Sequence, residues 1–162
     1  MDRLQTKERC LKIKDNGTGM SPQQMKLVLT SFGYNTKNSR TAPSEFNSSE
    51  HGLGLKLNAF RLGKTCVIVT RCKDMVSLGL LSQKFIEDAG QTYLVAPLVC
   101  FQVQNNTTFI PLTPYSEKLL QVIVGYTGSL FKKDFKHYVC NFMKNDGTEI
   151  FIQNLRNPTQ TI

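Results

Sequence analysis

Two stretches decide the reading of this chain: Lys14-Asp15-Asn16-Gly17-Thr18-Gly19-Met20 and His51-Gly52-Leu53-Gly54-Leu55-Lys56. Leu11-Lys12-Ile13-Lys14 alternates apolar and charged residues, as a half-buried strand does, and it delivers Asp15 at the strand end. A carboxylate fixed there accepts a hydrogen bond from the exocyclic amine of a purine and rejects a base lacking that donor. Gly17 and Gly19 let the backbone turn sharply and pass close to a base, and Met20 offers an adaptable apolar contact. The same residues also suit a plain Asp-Asn-Gly turn. In the second stretch Gly52 and Gly54 open a helix over Leu53 to Leu62. Amides exposed at a helix start, aided by the dipole, are a natural seat for phosphate. Gly52, Leu53, Gly54, Leu55 and Lys56 are therefore phosphate-binding candidates, and Asp15, Gly17, Gly19 and Met20 adenine-binding ones. The glycines equally suit close packing, and Lys56 could face solvent. The spacing matches neither a Walker motif nor a GxGxxG fingerprint.

Between these stretches, Ser21-Pro22-Gln23-Gln24 predicts a helix start with Ser21 as cap, Pro22 at the first position and Gln24 closing a capping box. Met25, Val28, Leu29 and Phe32 share a face of that helix, and Gly33 ends it. Residues 34–51 form a polar stretch of 18 residues, longer than most compact-domain connections, and read as a lid over the site. The helix over Leu53 to Leu62 carries two apolar stripes, Leu53-Leu57-Phe60 and Leu55-Ala59-Leu62, which predict burial on much of its circumference. Strands follow over Thr65–Thr70, over Met75–Phe85 with an interruption at Gly79, and over Tyr93–Val103, which Pro97 marks as bulged or at an edge. Helices are expected from Thr113 to Val124 and from Leu130 to Met143. Asn145-Asp146-Gly147 reads as a hairpin turn before a strand over Thr148–Ile152. Residues 157–162 read as a tail.

The 162 residues fit one domain with a sizeable core, and 40% hydrophobic with 20% charged residues excludes a disordered class. No apolar run is long enough to span a bilayer, and the charged N-terminus lacks a signal sequence, so an intracellular soluble protein without a membrane partner is expected. The net charge of +8 favours anionic partners, nucleotide or nucleic acid, over none, though a basic surface alone gives the same count. Five cysteines, an odd count without a CxxC pair, read as reduced core residues, and with only His51 and His137 beside them a Cys/His metal site is not expected.

In order, Asp15-Asn16-Gly17-Thr18-Gly19-Met20, Ser31-Phe32-Gly33-Tyr34, Gly52-Leu53-Gly54-Leu55-Lys56, Phe60-Arg61-Leu62-Gly63-Lys64, Val76 to Gln83 and Ile150 to Arg156 resemble the GHKL ATPase superfamily, and within it the MORC family of CW-type zinc-finger proteins. The likeness covers roughly residues 10–156. It implies an α+β fold, a two-layer α/β sandwich of the GHKL (Bergerat) type with a mixed sheet and helices on one face. It implies ATP with Mg2+, a lid at 34–51, head-to-head homodimers, nuclear localisation, and action on DNA and chromatin. Carried over by motif, Asp15 contacts adenine, Gly17 and Gly19 shape the base pocket, and Gly52, Gly54 and Lys56 surround the phosphates with the amides of Leu53 and Leu55. The chain departs from the pattern at Ser49, where the family has Gly, and at His51, where it has an aromatic residue. The family's preceding helix, with a water-activating Glu and a magnesium-binding Asn, has no counterpart before Leu11. The expectation is a single, partial domain over 1–162 that holds ATP without hydrolysing it alone, with no catalytic or metal residue assigned, and with an apolar face left for a homodimer or other partner where that helix would lie. The alternative is a non-enzymatic nuclear module that binds chromatin, DNA or a partner and keeps only the fold.

Overall fold

The computed structural model describes residues 9–30, 54–128, 130–131 and 134–156. The expected lid at 34–51, the Ser31 to Tyr34 motif, Gly52 and Leu53 lie outside these residues. The elements run β1 (Cys10–Asp15), α1 (Pro22–Thr30), α2 (Gly54–Leu62), β2 (Gly63–Cys72), β3 (Met75–Ser82), α3 (Gln83–Asp88), β4 (Leu98–Gln104), β5 (Thr108–Pro111), α4 (Ser116–Tyr126), α5 (Phe135–Phe142) and β6 (Gly147–Leu155). The strands form a single sheet in the order β1-β6-β2-β3-β4-β5.

The α+β architecture is as expected, and two details differ. Every strand pairing among the described residues is antiparallel, where a mixed sheet was expected. The cause is β6: β1 and β2 point the same way, but the last strand inserts between them and opposes both. Helices also pack on both faces rather than one. Along β2, Cys66 and Ile68 join Met25 and Leu29 of α1 and Ala59 of α2, while Val67 and Val69 join Leu120 and Ile123 of α4 and Phe135 and Val139 of α5. A strand that is apolar at successive positions has two faces to bury, and each needs a cover. Phe101 and Phe135 are the largest fully buried side chains, each contributing about 2–3 kcal/mol by burial alone.

Local signals set the element ends. Ser21 Oγ accepts from Gln24 N at 3.3 Å and Gln24 Oε1 accepts from Ser21 N at 2.9 Å, a reciprocal capping box that starts α1 as expected. Met25 and Leu29 are buried beneath it. The interruption expected at Gly79 is absent: β3 runs through it, paired to Ile68 and Leu98, and the glycine instead gives α1 room, since a methyl there would lie 2.6 Å from both Leu29 Cδ1 and Met25 Cε. β3 stops at Ser82, which caps α3 by accepting from Phe85 N at 3.3 Å. The run at Tyr93–Val103 becomes a strand only from Leu98, after Pro97. The β4–β5 hairpin was not foreseen; Asn105 and Asn106 turn it with φ of 51° and 57°. Asn145-Asp146-Gly147 links α5 to β6 rather than two strands, and Asp146 Oδ1 accepts from Lys73 N at 2.8 Å across the sheet end. The five cysteines are free, as read, but only Cys66 is buried, its thiol pushed up to about 12 by burial; Cys10 is exposed. No helix among the described residues is long and apolar enough to cross a membrane.

Candidate nucleotide site

β1 places Asp15 at the end of an edge strand, opposite Thr148 of β6. Its carboxylate is oriented by two backbone amides: Oδ1 accepts from Gly17 N at 2.9 Å and from Thr148 N at 3.2 Å. Among the described residues Oδ2 has no hydrogen-bond partner, so one oxygen is fixed and the other is left to accept. The loop that follows is clasped onto the sheet. Met20 N donates to Thr70 Oγ1 at 2.8 Å, and Thr70 Oγ1 lies 3.1 Å from Thr148 Oγ1 and 3.2 Å from Gly147 O. Gly19 has φ +65° and rests on the carbonyl of Arg71, where a methyl would fall 1.8 Å from the oxygen. Met20 packs against the cluster of Met25, Leu29 and Ile68.

Arg71 is the anchor under this loop. It is buried at the end of β2, and its guanidinium donates to Met143 O at 2.8 Å, to Asn106 Oδ1 at 2.5 Å and to Lys73 O at 3.3 Å. Neutral acceptors from the α5–β6 link, the β4–β5 turn and its own turn thus hold a charge whose backbone carbonyl seats Gly19. Thr70, Arg71, Gly147 and Thr148 were missed by sequence reasoning. Their signal is weak, because polar residues within β-branched runs read as ordinary strand positions until the partner strands are known.

Strand alternation puts Asp15, Thr148 and Thr70 on the face covered by α1 and α2. α2 passes into β2 with no intervening loop and folds back over it, Leu55 and Ala59 packing with Cys66 and Ile68. Its amino end is therefore directed toward the sheet end that carries Thr70 and Asp15. The structure thus brings the adenine candidates together and sets Gly54, Leu55 and Lys56 on the same face. Lys56 is 2% exposed, so its side chain turns inward rather than to solvent, and burial holds its pKa below the ordinary lysine value. The helix is less enclosed than its two apolar stripes predicted: Leu57 and Leu62 are 57% and 46% exposed, and the sheet covers only the side of Leu55, Ala59 and Phe60. Among the described residues, no three His, Cys, Asp or Glu side chains converge as a metal-ligand set.

An edge-strand carboxylate, a glycine loop clasped to the sheet and a helix start on the same face define the class. Residues 1–111 match the family described as histidine kinase-, DNA gyrase B-, and HSP90-like ATPase, and the chain belongs to that family. Within it the chain is similar to MORC and MICRORCHIDIA proteins. It is 32% identical over 155 residues to Protein MICRORCHIDIA 4 of Arabidopsis thaliana, covering 88% of this chain and 18% of that protein. It is 32% identical over 149 residues to the MORC family CW-type zinc finger protein 3 of Mus musculus, covering 91% and 15%. Against the ATPase MORC2 of Homo sapiens the figure is 30% over 146 residues, covering 88% and 13%. The chain therefore spans less than a fifth of the length of each of these relatives.

Proposed function

We propose that this domain holds ATP, with Asp15 Oδ2 accepting from the adenine amine. The orientation of the Asp15 carboxylate by Gly17 N and Thr148 N carries the reading. Gly17, Gly19 and Met20 shape and line the base pocket. The amides at the start of α2, with Gly54, Leu55 and Lys56, face the phosphates; the further phosphate candidates Gly52 and Leu53 and the lid read at 34–51 lie outside the described residues. Residues 1–162 are taken to act as one unit in this binding. Magnesium would neutralise phosphate charge in larger relatives, but the described residues do not form a ligand set for it.

Calorimetry on wild type and Asp15→Asn tests the site. Loss of a hydrogen bond to a charged acceptor should weaken ATP binding about ten- to hundredfold. Equal affinities would remove Asp15 from the site. Steady phosphate release by the purified chain, abolished by Lys56→Ala, would show that the bound nucleotide is also turned over.

A second role is favoured by the uncovered face of β1, where Leu11 and Ile13 are 40% and 48% exposed. That face suits a second copy or another partner, and with the net charge of +8 it supports a nuclear module engaged with chromatin or DNA.

A further inference from the structure

β1 is an unusual carrier for a recognition group. All six of its residues are exposed, among the described residues it has a strand neighbour on one edge only, and Leu11 and Ile13 are exposed on the α1/α2 face. On the opposite face both of its lysines converge on one buried carboxylate. Glu149 of β6 is fully buried, and its carboxylate meets Lys14 Nζ at 2.9 Å through Oε1 and Lys12 Nζ at 3.1 Å through Oε2. The hydroxyl of Tyr138 on α5 donates to Glu149 Oε2 and accepts from Lys12 Nζ at 3.0 Å. The Lys12 ammonium also lies 5.1 Å from the centroid of the Phe151 ring. Burial by itself would raise the Glu149 pKa, but the hydroxyl and the two ammonium groups outweigh it and hold the carboxyl below the usual range, so the clamp is charged at neutral pH.

The register ties this clamp to the candidate site. Lys14 stands opposite Glu149, and the next pair is Asp15 opposite Thr148. Thr148, whose amide orients the Asp15 carboxylate, is therefore bonded in the chain to Glu149; Asp15 is bonded to Lys14, which Glu149 holds. The two contacts occupy opposite faces of adjacent rungs. The end of an edge strand frays unless side chains hold it, and a shift of the Asp15 rung moves the carboxylate off its two amides.

We infer that Glu149, seated by Tyr138 and acting through Lys12 and Lys14, is a positioning residue that sets the Asp15 carboxylate for purine recognition from the far face of the sheet. This rests on the reading of Asp15 as the adenine acceptor. The effect is one of selectivity. Hypoxanthine presents a carbonyl where adenine presents an amine, so a well-set Asp15 favours ATP over ITP by about tenfold or more, and a loosened one does not.

The test measures ATP and ITP dissociation constants by calorimetry for wild type, Glu149→Gln, Lys14→Gln and the double variant, with amide hydrogen exchange on each. Lys14→Gln changes an exposed side chain and leaves Lys12 and Tyr138 on Glu149, so a folded variant is at hand even if Glu149→Gln is unstable. The expected result is that each variant reduces the ATP-over-ITP preference by about threefold or more, that the double variant adds little, and that amides of Leu11 to Asp15 exchange faster while those of β2 and β3 do not. Equal weakening of both nucleotides, or unchanged preference with unchanged β1 exchange, overturns the inference. If the wild type binds neither nucleotide, the proposed function falls, and faster β1 exchange in the variants still separates that failure from failure of the clamp.

Discussion

Gly19 shows how much of the site is set by close approach at one atom. Its φ of +65° is the left-handed region, and a methyl would lie 1.8 Å from the Arg71 carbonyl oxygen, which is backbone and cannot swing away. Gly19→Ala is expected to cost about 3 kcal/mol in a urea titration, from strain and displacement of the loop together. Gly54 is the contrast: a methyl added there would meet no atom of the described residues within 4 Å. Gly54→Ala should leave stability unchanged or raise it by up to about 1 kcal/mol, so that any loss of ATP affinity it causes belongs to the phosphate seat rather than the fold. Both glycines stand out in the sequence, yet nothing in the sequence separates the one that packs from the one that is free.

Among the elements, α1 was legible because its determinants are local: Ser21, Pro22 and Gln24 lie within one turn and need no partner to act. β1 was legible from its alternation, but what holds it was not, since Glu149 is 135 positions from Lys14 and a glutamate in Thr148-Glu149-Ile150 reads as an exposed strand position. Its burial has a pH consequence. The folded carboxyl titrates below the ordinary value of 4.5, so its stabilisation is complete above that value and is lost as pH falls through the lower, folded pKa. Urea midpoints taken stepwise from about pH 6 to pH 3 should fall more steeply for wild type than for Glu149→Gln. Parallel curves would show that the clamp does not couple to folding.

For the whole molecule, one sheet serves two cores. β2, β3 and β6 each give side chains to both clusters, with Ile152 on one face and Phe151 on the other. Leu29→Ala under α1 should cost about 2–5 kcal/mol and Phe135→Ala in α5 about 3–5 kcal/mol, both lowering the same single unfolding transition. Two separable transitions, each sensitive to one variant, would show instead that the faces fold apart. What the sequence determined by itself were features coded over a few residues: the Asp15 turn, the α1 cap, the apolar strands, the glycine-opened helix and the family these make together. Tertiary structure decided the rest. It put β6 between β1 and β2, covered both faces, buried Lys56, left Leu57 and Ile13 open, and set Thr148 and Glu149 on the two sides of the Asp15 rung. Those outcomes depend on pairing between residues far apart in the chain, where closing the loop and burying the second face determine the arrangement and no short window of residues records it.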